Sequence, residues 1–186
     1  MKNPYYYKGP NPTVDLVLIN QKKEILLIQR QENSNACPAM WALPGGFIDS
    51  LSKKGEHWIE NKETSQKAAL REWAEETGLN SKLLDENKLQ FLNIYEGNNR
   101  DPRDNNISWS KSHAFYYQLN ETETNKLNSV KNLTPEDKKN LDDAQDVKWI
   151  SLDKVSNMKL AFDHNLIIQD TLVALNNIKS THKKKS

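Results

Sequence analysis

Residues 63–79 read Glu63-Thr64-Ser65-Gln66-Lys67-Ala68-Ala69-Leu70-Arg71-Glu72-Trp73-Ala74-Glu75-Glu76-Thr77-Gly78-Leu79. Good helix formers fill the middle, Thr64 or Ser65 can cap the start and Gly78 is placed to stop it, which predicts a helix over 64–77. At about 100° per residue, Glu72, Glu75 and Glu76 fall within an arc of roughly 100°, with side chains about 5–6 Å apart. Leu70, Trp73 and Thr77 lie on another face, free to pack inward. Three carboxylates this close repel one another and weaken their own helix. As hard oxygen donors they suit Mg²⁺ or Mn²⁺, ions that complete their shells with a phosphate-bearing substrate. A solvated acidic face explains the same spacing, and the helix alone does not choose.

The flanks supply the rest of a fold. Residues 13–20 (TVDLVLIN) and 24–30 (EILLIQR) are β-rich runs around the polar Gln21-Lys22-Lys23 and predict a hairpin. Within 41–48 (WALPGGFI), Pro44-Gly45-Gly46 is a strong turn signal, and 50–62 is polar and irregular. Further strands are expected at 90–95, 112–119 and 147–150. Residues 120–145 read as a long charged loop with a short helical piece. An amphipathic helix is expected over 163–179, with Asp163 as its cap. Strands and helices mix without an internal repeat, so the class is α/β or α+β in one domain. Residues 1–12 read as an extended arm, 13–179 as the domain and 180–186 as a Lys-rich tail.

Composition narrows the function classes. The chain has 186 residues, 36% of them apolar, and 26 Lys and Arg against 25 Asp and Glu leave a net charge of +1. No basic footprint for nucleic acid follows. A lone cysteine, Cys37, excludes an internal disulfide, no apolar run is long enough to span a membrane, and the N-terminus lacks a signal-peptide pattern. A cytoplasmic protein with a small-molecule substrate and no nucleic-acid or membrane partner is expected. Only four basic residues are arginines, Arg30, Arg71, Arg100 and Arg103. Lysine cannot replace their planar fork, so the places of these four matter.

With Gly46 upstream, residues 63–79 resemble the signature of the Nudix hydrolases, G-x5-E-x7-R-E-U-x-E-E-x-G-U, where U is a bulky apolar residue. Every defined position from Glu63 to Leu79 agrees, with Trp73 and Leu79 as the U residues. The departure lies between Gly46 and Glu63, where 16 residues replace five, an insertion of 11 within 50–62. A surface loop there costs little. The sharper alternative is that this loop, with His57 and Trp58, covers the site. The resemblance implies an α/β/α sandwich around a mixed sheet. It makes Glu72, Glu75 and Glu76 ligands of Mg²⁺ or Mn²⁺, helped by the Gly46 carbonyl, with Arg71 orienting a glutamate.

A second resemblance concerns the substrate. Tyr95-Glu96-Gly97, Arg100-Asp101-Pro102-Arg103, Trp109, and the later Asp143-Ala144, Val147, Trp149, Lys159-Leu160 and His164 are similar to segments of ADP-ribose pyrophosphatases. They are closest to the mitochondrial-type enzyme and the related sensor domain of melastatin-type channels. This implies hydrolysis of the diphosphate of ADP-ribose to AMP and ribose 5-phosphate. Asp101 and Arg103 would touch the diphosphate and terminal ribose, Phe162 and His164 would flank that ribose, and Arg30, Gly45 and Arg100 would also face the substrate; with Arg71 in the signature, the resemblance implies that all four arginines converge on one cleft. Another Nudix substrate, such as a dinucleoside polyphosphate, fits the spacing of Tyr95, and a non-catalytic ADP-ribose sensor is the third reading. Family members that regulate transcription carry a DNA-binding domain after this one, for which the residues past Lys179 are expected to be too few. The general base is left open among Asp142, Asp143, Asp146, Glu121 and Glu123. Trp41, Trp109, Trp149, Tyr116 and Tyr117 are expected in packing, and His57 and His113 in structural roles. Monomer and homodimer are equally compatible.

Overall fold

The computed structural model describes residues 5–97, 100–128, 141 and 143–183, without the side chains of 178–183. A six-stranded mixed sheet is built from β1 (Gly9–Ile19), β2 (Glu24–Arg30), β3 (Trp41–Ala42), β4 (Gln90–Glu96), β5 (Ser108–Gln118) and β6 (Ala144–Ser151). Its order is β3-β2-β1-β5-β4, with β6 also pairing antiparallel to β2. The predicted hairpin closes with Ile19 opposite Ile25, and β1 runs parallel to β5 from Gly9↔Ser108 to Ile19↔Gln118.

Helices cover both faces: α1 (Ser65–Thr77) on one and α4 (His164–Lys183) on the other, with α2 (Glu121–Leu127) and α3 (Leu152–Val155) as short pieces. The alternation along β1 shows why both are needed. Val14, Leu16 and Leu18 join a core with Ala68, Ala69, Leu70 and Trp73 of α1. Val17 and Ile19 join a second core with Ile167, Ile168 and Leu175 of α4. A strand apolar on both sides reads as a continuous run, and the TVDLVLI stretch has that character. This is the expected α/β/α sandwich.

Two boundaries differ from the sequence reading. Residues 9–12 belong to β1 rather than to the arm. Pro10 and Pro12 are tolerated because their missing N–H groups fall on the side away from β5, where Val14 and Leu16 donate to the carbonyls of Gly46 and Pro44. The last helix continues past 179 to Lys183. Asp163 stands at the expected cap position, its carbonyl accepting the Leu166 and Ile167 N–H groups, while its carboxylate accepts two hydrogen bonds from Arg100. Among the described residues no helix is long and apolar enough to cross a membrane.

Candidate active site

The local signals for α1 act as the sequence predicts. The Thr64 side chain accepts the Lys67 N–H at 3.2 Å, and Gly78 ends the helix at φ 67°, a left-handed conformation that suits glycine. Leu70, Trp73 and Thr77 are buried. On the opposite side Arg71 draws the acidic residues together. Its Nη1 lies 2.8 Å from Glu72 and 3.0 Å from Glu75, and its Nη2 lies 2.6 Å from Glu63 and 3.0 Å from the Phe47 carbonyl oxygen. The insertion leaves this arrangement intact because its ends meet: Lys62 N–H donates to the Asp49 carbonyl at 2.7 Å, and Asp49 N–H to Glu63 at 3.1 Å.

The Pro44-Gly45-Gly46 turn packs against the same helix. A Cβ on Gly46 would stand 2.5 Å from the Glu72 carboxylate, and one on Gly45 would stand 2.1 Å from the Val14 carbonyl oxygen. Close approach of backbone therefore requires glycine at Gly45, whereas at Gly46 a methyl group would displace the Glu72 carboxylate. Gly45 N–H donates to Glu76 at 2.8 Å, whereas the Gly46 carbonyl accepts the Val14 N–H at 2.9 Å. The expected ligand carbonyl of Gly46 is thus already engaged by β1. Among the described residues, the Gly45 carbonyl accepts no hydrogen bond.

Burial dominates the electrostatics of the helix. It pushes the Glu72 carboxyl up to about 7, even with Arg71 beside it, and holds buried Glu76 well above the ordinary carboxylate range, Glu72 adding repulsion. With Arg71 between Glu72 and Glu75, and Glu76 turned to Gly45, no three acidic, histidine or cysteine side chains among the described residues converge as a ready metal cage. The donor set is nonetheless that of a hard divalent cation. Crowded, half-desolvated carboxylates are the groups whose ionisation such a cation would restore.

One cleft is lined by all twelve residues named from the sequence: Arg30, Gly45, Gly46, Arg71, Glu72, Glu75, Glu76, Arg100, Asp101, Arg103, Phe162 and His164. The four arginines do converge, yet their donors are differently committed. Arg71 is fully used on its glutamates and Phe47. Arg100 has a side chain only 9% exposed, donating to Asp163 at 2.8 and 3.0 Å, to Asp15 at 3.1 Å and to Ser110 at 3.1 Å. Arg103 gives Nε and Nη2 to Asp101. Arg30 gives only Nε, to the Ala36 carbonyl at 3.0 Å, and its guanidinium lies 5.2 Å from the Phe162 ring centre. Among the described residues, Arg30 is the one arginine of the four with no hydrogen-bond partner on either terminal nitrogen, and its charge acts on Glu76 across the cleft.

Two of the expected substrate contacts, both lining the cleft, also act as internal supports. Arg100 holds the floor, and buried His164 has both ring nitrogens occupied. Its Nδ1 accepts the Leu43 N–H at 2.8 Å and its Nε2 faces Asp15 at 3.1 Å. Asp15, which the sequence reading did not single out, is the hub of this network. Burial opposes its charge, but His164, Arg100 and Ser112 outweigh it and hold the carboxyl well below its usual range. The signal was an aspartate inside an apolar strand. Phe162 is held at φ 53°, an uncommon conformation for a bulky residue, with its ring between Arg30 and His164.

Other candidates sort by position. Asp143 lines the cleft, whereas Asp146 pairs with Lys148 and Glu123 binds Lys88 and Tyr117. Asp142 lies outside the described residues. Tyr95 is buried with its hydroxyl on Asp170 at 2.6 Å and does not line the cleft, so its spacing says little about substrate. None of 50–62 lines the cleft, which overturns the alternative that His57 and Trp58 cover it. Asp49, Phe47, Thr13 and Ser110 are lining residues missed in the sequence.

This fold, with its acidic helix and glycine turn, defines a class: the chain belongs to the NUDIX domain family, which matches residues 9–171. Among its relatives, an ADP-ribose pyrophosphatase of Methanocaldococcus jannaschii is 31% identical over 170 residues, covering 91% of this chain and 78% of that protein. The ADPR responsive transcriptional repressor NtrR of Acinetobacter baylyi is 28% identical over 175 residues, and this chain spans 92% of itself but 56% of the repressor. A bifunctional NMN adenylyltransferase/ADP ribose pyrophosphatase of Francisella tularensis, solved with AMP and a Mn ion, superposes with a TM-score of 0.63 at 27% identity, over 93% of this chain and 43% of that one.

Proposed function

We propose that this chain hydrolyses the diphosphate of ADP-ribose to AMP and ribose 5-phosphate with Mg²⁺ or Mn²⁺. The observation that carries the reading is the uncommitted fork of Arg30 in the same cleft as Glu72, Glu75 and Glu76. A diphosphate offers the paired oxygens such a fork matches. Relatives named for ADP-ribose pyrophosphatase activity support the substrate.

Glu72, Glu75, Glu76 and the Gly45 carbonyl would hold the cation, which when bound supplies charge neutralisation for the diphosphate and a more acidic water. Water adds across the P–O–P link: its oxygen bonds to one phosphorus, the bond from that phosphorus to the bridging oxygen breaks, one water proton passes to a base and the other stays with the product phosphates. Asp143 is the described carboxylate we assign to receive one. Arg71 keeps Glu72 and Glu75 in place, and Arg30 orients the phosphates. Glu76→Gln is expected to lower kcat about a thousandfold, the scale of losing a group that acts on developing charge, with Tm little changed. Unchanged activity would remove Glu76 from the site.

The repressor relative favours a second reading, an ADP-ribose-responsive regulatory module. The complete set of signature glutamates favours turnover. Tight ADP-ribose binding without AMP release would select the regulator.

A further inference from the structure

We propose that Tyr5 is a positioning residue for Arg103, and that the 11-residue insertion is the clasp that keeps Tyr5 in place; this rests on the ADP-ribose reading above. Tyr5 is buried although it lies near the chain start. Its hydroxyl donates to Asp104, and its ring faces the Arg103 guanidinium with 5.3 Å from Cζ to the ring centre. The same ring meets Phe47 edge-on at 6.2 Å. Tyr5 therefore wedges between the 101–104 turn and the glycine turn, whose Phe47 carbonyl accepts from Arg71.

The turn itself is braced from within. Asp101 accepts the Arg103 N–H at 2.8 Å and its guanidinium at 2.6–3.2 Å, and Asp104 accepts the Ser110 N–H at 2.9 Å. Arg103 is left with Nη1 unpaired among the described residues, in a side chain 23% exposed at the cleft. A cation fixed by a carboxylate edge and an aromatic face loses little freedom when an anion arrives.

The insertion explains how Tyr5 can be held this firmly. Gly55 N–H donates to the Tyr6 carbonyl at 2.7 Å, and Lys8 N–H to the Glu56 carbonyl at 2.9 Å. Trp58 meets Tyr7 edge-on at 4.9 Å, and the Lys54 ammonium stands 4.2 Å from the Tyr6 ring centre. Residues 54–58 thus grip 6–8 without themselves lining the cleft.

The test is steady-state hydrolysis of ADP-ribose with Mn²⁺ by the full chain, with Tm for every variant. Tyr5→Ala is expected to raise KM about tenfold with kcat within about twofold, and Trp58→Ala about threefold in the same sense. Tyr5→Phe keeps the ring and loses the hydroxyl that faces Asp104 and Asp101, so most of the KM is restored. In an Arg103→Ala background Tyr5→Ala should add nothing further. An unchanged KM in Tyr5→Ala, or a KM effect that persists in full without Arg103, overturns the proposal. If Tyr5→Ala does not fold, Trp58→Ala decides by the same two criteria. Wild-type chain that binds ADP-ribose without turnover overturns the enzymatic reading alone, and the series is then read as calorimetric Kd. Wild-type chain that neither binds nor turns it over overturns both.

Discussion

Asp15 gathers His164, Arg100 and Ser112 around one buried carboxylate, and through them the floor of the cleft. Asp15→Asn removes the charge that faces Arg100 and is expected to cost about 3 kcal/mol at pH 7, the scale for breaking a buried pair. The folded carboxyl titrates below its unfolded value, so its contribution is complete above about pH 4 and is lost as pH falls towards the folded pKa. The gap between wild type and Asp15→Asn in urea unfolding should therefore be constant from pH 8 to about 4 and narrow below; a gap unaltered at pH 2.5 would contradict it. Arg30→Ala is expected to raise KM for ADP-ribose about tenfold, and Arg30→Lys to recover little of it, because an ammonium cannot present two parallel N–H groups. A KM within about twofold in both would mean no fork contact. At this scale the sequence shows which residues matter but not how each is used. Arg100 and Arg103 look alike in Arg-Asp-Pro-Arg; only partners 63 and 85 residues away commit Arg100 to the interior.

The acidic helix was legible because cap, apolar face and glycine stop are all local features. The glycine turn was legible as a turn, but its contacts were not, since they depend on β1 and α1 arriving from both sides. The two glycines now separate by what a methyl group would meet. Gly46→Ala presses on the end of a flexible Glu72 side chain, so activity is expected to fall about tenfold or more with the fold retained. Gly45→Ala presses on the Val14 backbone carbonyl, which cannot move without the strand, so stability is expected to fall by about 2–4 kcal/mol. Thermal melts and kcat measured together decide it, and equal Tm loss in both variants would contradict the assignment. Similarly, Pro10 and Pro12 made 9–12 look like an arm, because the sequence does not reveal on which side of β1 a donor is dispensable.

At the level of the molecule, the sheet with a helix on each face follows from strands apolar on both sides, and the cleft forms where the glycine turn, α1, the 101–104 turn and the start of α4 meet. The family was legible because its signature is long, and the insertion was harmless to it because Asp49 and Lys62 close its base. Turnover is the point on which the pyrophosphatase and repressor relatives differ in name. The most direct measurement is AMP release from ADP-ribose by purified chain with Mg²⁺ or Mn²⁺ and after chelation, beside dinucleoside polyphosphates and NADH. The account predicts equal amounts of AMP and ribose 5-phosphate, only with the divalent cation, and the highest kcat/KM for ADP-ribose. No release with the cation present, or release undiminished by chelation, would contradict it.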